Sequence, residues 1–133
     1  MKIINIPSIK SEGCNTILKF HDRKFEVIPW DVDVECSSPA FHGKMSIKLE
    51  SEYVNYFISD LKIIERDRKG ECQLGYQEES GFSLTTRSID SVGHFVVEIS
   101  FEKNRESHVD ILNISYEIEP SLLIALLQEF NNL

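Results

Sequence analysis

Asp31 and Asp33 stand two residues apart in Trp30-Asp31-Val32-Asp33-Val34-Glu35, and on a strand residues two apart point the same way. Two carboxylates so placed can reach one cation, the chemistry of the Asp-x-Asp element of some metal-dependent enzymes. The same spacing also makes a charged outer face that discourages edge-to-edge strand pairing, and that reading is preferred here. Trp30 beside these acids has the make-up of an interface anchor, an aromatic ring with a carboxylate surround that suits a basic partner. A lone Trp is also an ordinary core residue. Glu78-Glu79, in a turn, belongs to the same acidic face. Trp30, Asp31, Asp33, Glu78 and Glu79 are therefore the candidate partner-binding residues.

The remaining reactive side chains form no recognisable set. Of His21, His42, His94 and His108, only His108 has a close acidic neighbour at strand spacing, Asp110, and structural metal sites ordinarily place at least two ligands close together on one element. Cys14, Cys36 and Cys72 contain no CxxC pair and cannot all be paired within one chain. They read as reduced thiols packed as small apolar residues. A nucleophilic thiol would need a base beside it in space. No Gly-rich phosphate loop, GxSxG, HExxH or EF-hand pattern is present. No catalytic residue, metal or cofactor is expected.

Charge narrows the partners. The formal net charge is −8, and nucleic-acid contacts need clustered Lys and Arg, so nucleic acid is not an expected partner. Met1 to Lys48 carries seven basic and six acidic residues, a net of +1, whereas Leu49 to Leu133 carries seven basic and sixteen acidic, a net of −9. An acidic half can serve solubility alone, or it can steer a basic protein toward this one. The longest apolar run, Leu122 to Leu127, is far short of a membrane span. Met1 to Pro7 lacks the apolar core of a signal peptide, so the expected compartment is the cytoplasm.

These residues must be positioned by elements that the periodicities outline. A chain of 133 residues is long enough for one core, so residues 1–133 read as a single domain. Ile3 to Ile9 and Thr16 to Phe20 read as short strands. Lys24 to Cys36 alternates apolar and charged residues as one extended run interrupted at Pro29, and Phe41 to Leu49 returns with Phe41, Gly43, Met45, Ile47 and Leu49 on one face. From Ser51 the spacing changes. Tyr53, Val54, Phe57, Ile58, Leu61 and Ile64 form a helix stripe, with Ser51 as N-cap and Gly70 as stop. Cys72 to Tyr76, Gly81 to Thr86, His94 to Phe101 and Val109 to Ile118 follow as strands, and Pro120 opens a closing helix. No internal repeat is visible. The sum is an α+β domain: a curved antiparallel sheet of about seven or eight strands, one internal helix and one C-terminal helix.

The order of Val54-Asn55-Tyr56-Phe57-Ile58-Ser59-Asp60-Leu61, Gly81-Phe82-Ser83-Leu84, Gly93-His94-Phe95-Val96-Val97-Glu98-Ile99 and Ser115-Tyr116-Glu117-Ile118-Glu119-Pro120-Ser121-Leu122-Leu123 resembles a group of small, largely uncharacterised bacterial proteins, some of them immunity proteins of WapI-type toxin systems. The likeness spans about Tyr53 to Phe130 and rests on core and turn positions. Asp67-Arg68-Lys69-Gly70-Glu71 departs from it, having no Trp where many members do. It implies a cytoplasmic binding protein, not an enzyme, that neutralises a toxin. A basic toxin domain would meet the acidic surface of this chain. Two other classes stand beside that expectation: a small enzyme or ligand-binding domain with a pocket between sheet and helices, and a structural partner that forms a homo-oligomer along a sheet edge.

Overall fold

The computed structural model describes all 133 residues. Eight strands and three helices follow one another in the order β1 (Lys2–Pro7), β2 (Asn15–Phe20), β3 (Trp30–Ser37), β4 (His42–Leu49), α1 (Ser51–Asp67), β5 (Glu71–Leu74), α2 (Gln77–Ser80), β6 (Phe82–Ser88), β7 (Phe95–Arg105), β8 (His108–Ile118) and α3 (Leu122–Asn131). The α+β class, the antiparallel pairing and the two long helices agree with the periodicities. The single curved sheet does not. β1–β4 form one four-stranded meander and β5–β8 another, with no ladder between β4 and β5. The cause is α1. Its 17 residues rise about 25 Å at 1.5 Å per residue, which carries the chain away from the first sheet before β5 begins.

The halves repeat an order the residues do not advertise. Four strands and then a long helix occur twice, with α2 inserted in the second half. Helix α1 lies against β5, α3 against β1, and the two helices against each other. Each sheet buries one face by strict alternation: Val32, Val34 and Cys36 on β3; Phe95, Val97, Ile99 and Phe101 on β7. These faces meet in one cluster of 27 buried residues drawn from both sheets and both long helices.

Two glycines permit close packing. A Cβ at Gly43 would press into the end of the Leu112 side chain and touch Phe101, so the bare glycine eases the approach of β4 to β7 and β8. Gly81, at φ 72°, ends α2 in the left-handed region, and a Cβ there would collide with the Glu102 carbonyl.

Tyr116 is a buried polar tie between the halves. Its hydroxyl donates to the Ile6 carbonyl at 2.5 Å and lies 2.7 Å from Thr16 Oγ1, bonding β8 to β1 and β2 in the dry core. Tyr116→Phe is expected to cost about 1–3 kcal/mol, because the buried Ile6 carbonyl loses its side-chain donor. A lower urea midpoint at unchanged slope would register it; an unchanged midpoint would refute it. Burial also raises the Tyr116 pKa above its ordinary 10.0. A raised pKa confers stability below the unfolded value and loses it as pH climbs through the folded one. The wild type should therefore weaken above pH 10.0 more than Tyr116→Phe does.

Several local expectations are corrected. Residues 24–29 are a loop, and β3 starts only at Trp30, leaving Phe25 63 % and Val27 89 % exposed. Pro29 has no N–H for a ladder, and Arg23 holds the loop by its carbonyls instead. Phe41 precedes β4 and is exposed. Ser51 is the first helical residue, and the cap position is Glu50. Arg68, at φ 59°, ends α1 two residues before Gly70. Glu78 and Glu79 lie on the short helix α2, not in a turn.

Candidate functional site

The five sequence candidates divide into two groups. Asp31 and Asp33 do lie on the outer face of β3, as the alternation requires, but the neighbouring strands oppose each with a partner. Asp31 sits across from Lys48 and binds its Nζ at 2.7 Å. Asp33 accepts from Ser46 Oγ at 2.7 Å and is bonded to His21 Nε2 at 2.7 Å. Those bonds, Ser46 first and His21 second, hold its pKa below the usual carboxylate value. Glu35 continues the pattern with His42 at 2.6 Å, which lowers its pKa in the same way. The β3 face is a ladder of cross-strand pairs, each of small worth in water, and much of its charge is matched in place.

Trp30 and Glu79 belong elsewhere, and together. Both line an open cleft of about 1420 Å³ walled by the β2–β3 loop, the first turns of α1, α2 and the chain's last residues. Trp30 is half-buried at its base. One side meets the edge of Phe20, with ring centres 5.5 Å apart at 89°. The other is covered by the Arg23 guanidinium, 3.7 Å from the ring centre. Arg23 Nη1 also donates to the carbonyls of Glu26 and Ile28 at 2.8 and 2.7 Å and to Ser51 Oγ. Ser51 Oγ in turn donates to the Glu26 carbonyl at 2.8 Å. The loop is thereby fastened to the start of α1, and Arg23 is committed to structure.

Four carboxylates line this cleft: Glu26 from the loop, Glu50 and Glu52 at the start of α1, and Glu79 from α2. None of the four takes part in an ion pair. The helix N-terminus favours the negative charge of Glu50 and Glu52. Tyr53 reports the resulting field. Its hydroxyl lies 3.5 Å from Glu79 Oε1, and its pKa is raised chiefly by the Glu79 charge, then by desolvation and Glu52. Tyr53 also packs edge-on against Tyr76, with ring centres 5.3 Å apart, and beside Tyr56. Glu78 misses this cleft and lines a smaller one of about 490 Å³ with Glu79 and Glu102.

Glu26, Glu50, Glu52 and Tyr53 were not singled out as site residues by the sequence pattern. Glu26 reads there as the polar phase of a strand, Glu52 as a helix-start acid, Tyr53 as part of a core stripe. The one local signal is the Glu50-Ser51-Glu52 run, two acids flanking a helix start.

The histidines and cysteines are not brought together. His21, His42 and His94 are each bonded to a carboxylate, and His108 lies beside Ser107. No three His, Cys, Asp or Glu side chains gather closely enough to hold a metal ion. All three thiols are free, and burial raises the pKa of each, that of Cys72 to about 12. The thiolate is the reactive form. A thiol-exchange reagent at neutral pH should accordingly label Cys36 and Cys72 only as fast as the protein unfolds. Rapid labelling of either in the native state would contradict this burial. No helix is long and apolar enough to cross a membrane. No family model, curated protein or solved structure matches this chain.

Proposed function

We propose that this protein is a non-enzymatic binding protein of the immunity type, which neutralises a basic toxin domain by receiving part of its surface in the acidic cleft. The observation that carries this reading is the cleft itself: four unpaired carboxylates beside a Trp and a Tyr, in an open cleft of larger volume than an ordinary small-ligand pocket. Tyr53 supplies aromatic contact area and the carboxylates supply a complementary field, while the face of Trp30 is already covered by Arg23. The toxin-directed part rests on the sequence resemblance from Tyr53 to Phe130, and the cytoplasm is the compartment in which three unpaired cysteines stay reduced.

The site of contact is therefore moved. Of the sequence candidates, Trp30 and Glu79 stay in it, Glu78 flanks it, and Asp31 and Asp33 give way to Glu26, Glu50 and Glu52. Capture from lysate of the native host on the immobilised protein, eluted with salt, tests this. Glu50→Gln/Glu52→Gln/Glu79→Gln should lose a basic protein that Asp31→Asn/Asp33→Asn retains. Equal capture by all forms would defeat the cleft reading, and a loss confined to the aspartate variant would return the site to β3.

A further inference from the structure

The two sheets leave four edge strands, and three are guarded against pairing with another chain. β1 carries Lys2 and Pro7 and lies against α3. β4 exposes Lys44 and Lys48. β5 is only four residues long and packs against α1. Charged side chains, proline, shortness and a covering helix are the usual protections of a sheet edge. β8 has only Asp110, whose charge is held by Arg105 at 2.8 Å, and Glu117 near its far end. From Ile111 to Tyr116 it has no charge, no proline and no bulge in its register with β7. Val109 and Ile111 are 50 % and 60 % exposed.

Glu117 shows which way this edge faces. Its N–H donates to Glu12 Oε2 at 2.7 Å and its carbonyl accepts from the Ile9 N–H at 2.9 Å, so both groups point away from β7. In an antiparallel ladder that orientation recurs at every second residue. Ser115, Asn113, Ile111 and Val109 therefore turn their N–H and carbonyl groups outward too. Apart from the ladder with β7, none of them has a backbone hydrogen bond.

We propose that β8 pairs antiparallel with β8 of a second copy, joining the two β5–β8 sheets into one across a two-fold axis. The open stretch from Val109 to Ser115 is centred on Leu112. Pairing about Leu112 sets Val109 opposite Ser115 and Ile111 opposite Asn113, which matches outward backbone with outward backbone. The partner's β8 then begins at His108 opposite Tyr116. Its ladder stops one residue short of Glu117, where the Ile9–Glu12 turn closes the edge. Asp110 falls opposite Ile114, so no carboxylate opposes its own copy, whereas an axis on Asp110 would set like charges together. The two Ile111 side chains become diagonal neighbours and cover one another. For a molecule of net charge −8, this uncharged strip is where a second copy meets least repulsion. No β8 residue lines the acidic cleft, so the dimer leaves that site open.

Sedimentation equilibrium and amide exchange of the full chain test the pairing. The wild type should dimerise in the micromolar range, and more tightly as salt screens the like-charged subunits. The amides of Val109, Ile111, Asn113 and Ser115 should exchange more slowly as concentration rises. Asn113→Pro removes an N–H that has no partner within the monomer, and should abolish the dimer with little change in urea midpoint. Ile111→Lys sets two cations beside the axis and should weaken dimerisation by roughly tenfold or more. That side chain is exposed, so this variant carries the test if the proline one fails to fold. A wild type that stays monomeric at millimolar concentration overturns the proposal. So does a dimer that both variants leave intact, or one whose slowed amides lie on another strand.

Discussion

Phe130→Ala is expected to destabilise the protein by about 3–5 kcal/mol, the range for truncating a buried Phe. Phe130 is 1 % exposed and stands where three elements join. Its ring centre lies 4.9 Å from Phe57 of α1 and 6.1 Å from Phe20 of β2, and Phe20 in turn meets Trp30. Removing the ring takes away its transfer energy and leaves a cavity whose walls belong to different elements, so no single side chain can collapse into it. The loss corresponds to roughly 10–20 °C in Tm for a chain of this size. Phe130→Leu, which keeps much of the volume, should lose far less. A loss below about 1 kcal/mol for Phe130→Ala, within the reach of an exposed site, would mean that the aromatic junction is not what holds α3 to the sheets.

The second large effect concerns encounter with a partner. Glu50→Gln/Glu52→Gln/Glu79→Gln is expected to slow association with a basic protein about tenfold to a hundredfold at low salt, with dissociation changed much less. The gap should close toward molar salt, where the Debye length falls to about 3 Å. Asp31→Asn/Asp33→Asn is the informative control. It removes two charges against three, but Asp31 already faces Lys48 and Asp33 stands opposite Lys19, so their field at a distance is largely cancelled. Stopped-flow rates across a salt series separate the cases. Equal slowing by both variants would show that net charge acts without regard to place; no slowing by either would remove steering from the account. The triple variant should fold normally, losing a few tenths of a kcal/mol from charges at the start of α1.

Much of the local structure was legible. The three- and four-residue spacing of Val54, Phe57, Leu61 and Ile64 marks α1, and those four side chains are the ones it buries. The alternation in Val32-Asp33-Val34-Glu35-Cys36 assigns its faces correctly, because side-chain direction along a strand follows from the pleat alone. The same rule fails at Phe25 and Val27. Their alternation is genuine, but Pro29 and the carbonyls gripped by Arg23 deny that segment a neighbour, and alternation without a ladder is a loop. The candidate site was legible only in part. Trp30 and Glu79, singled out by residue type, line the cleft, while Asp31 and Asp33, singled out by their two-residue spacing, have partners 17 and 12 residues distant in the chain, which no local pattern shows.

The order of types along the chain determined the number of strands to within one, the two long helices, the faces they bury and the net acidity. Each depends on neighbours a few residues apart, whose relative directions are set by backbone geometry. Which strands pair was decided by the tertiary structure, since every strand offers the same N–H and C=O groups and only the path of α1 separates β4 from β5. Where the unpaired acidity gathers was decided there too. Residues 26, 50, 52 and 79 share one cleft, and a carboxylate's field depends on the charges near it in space.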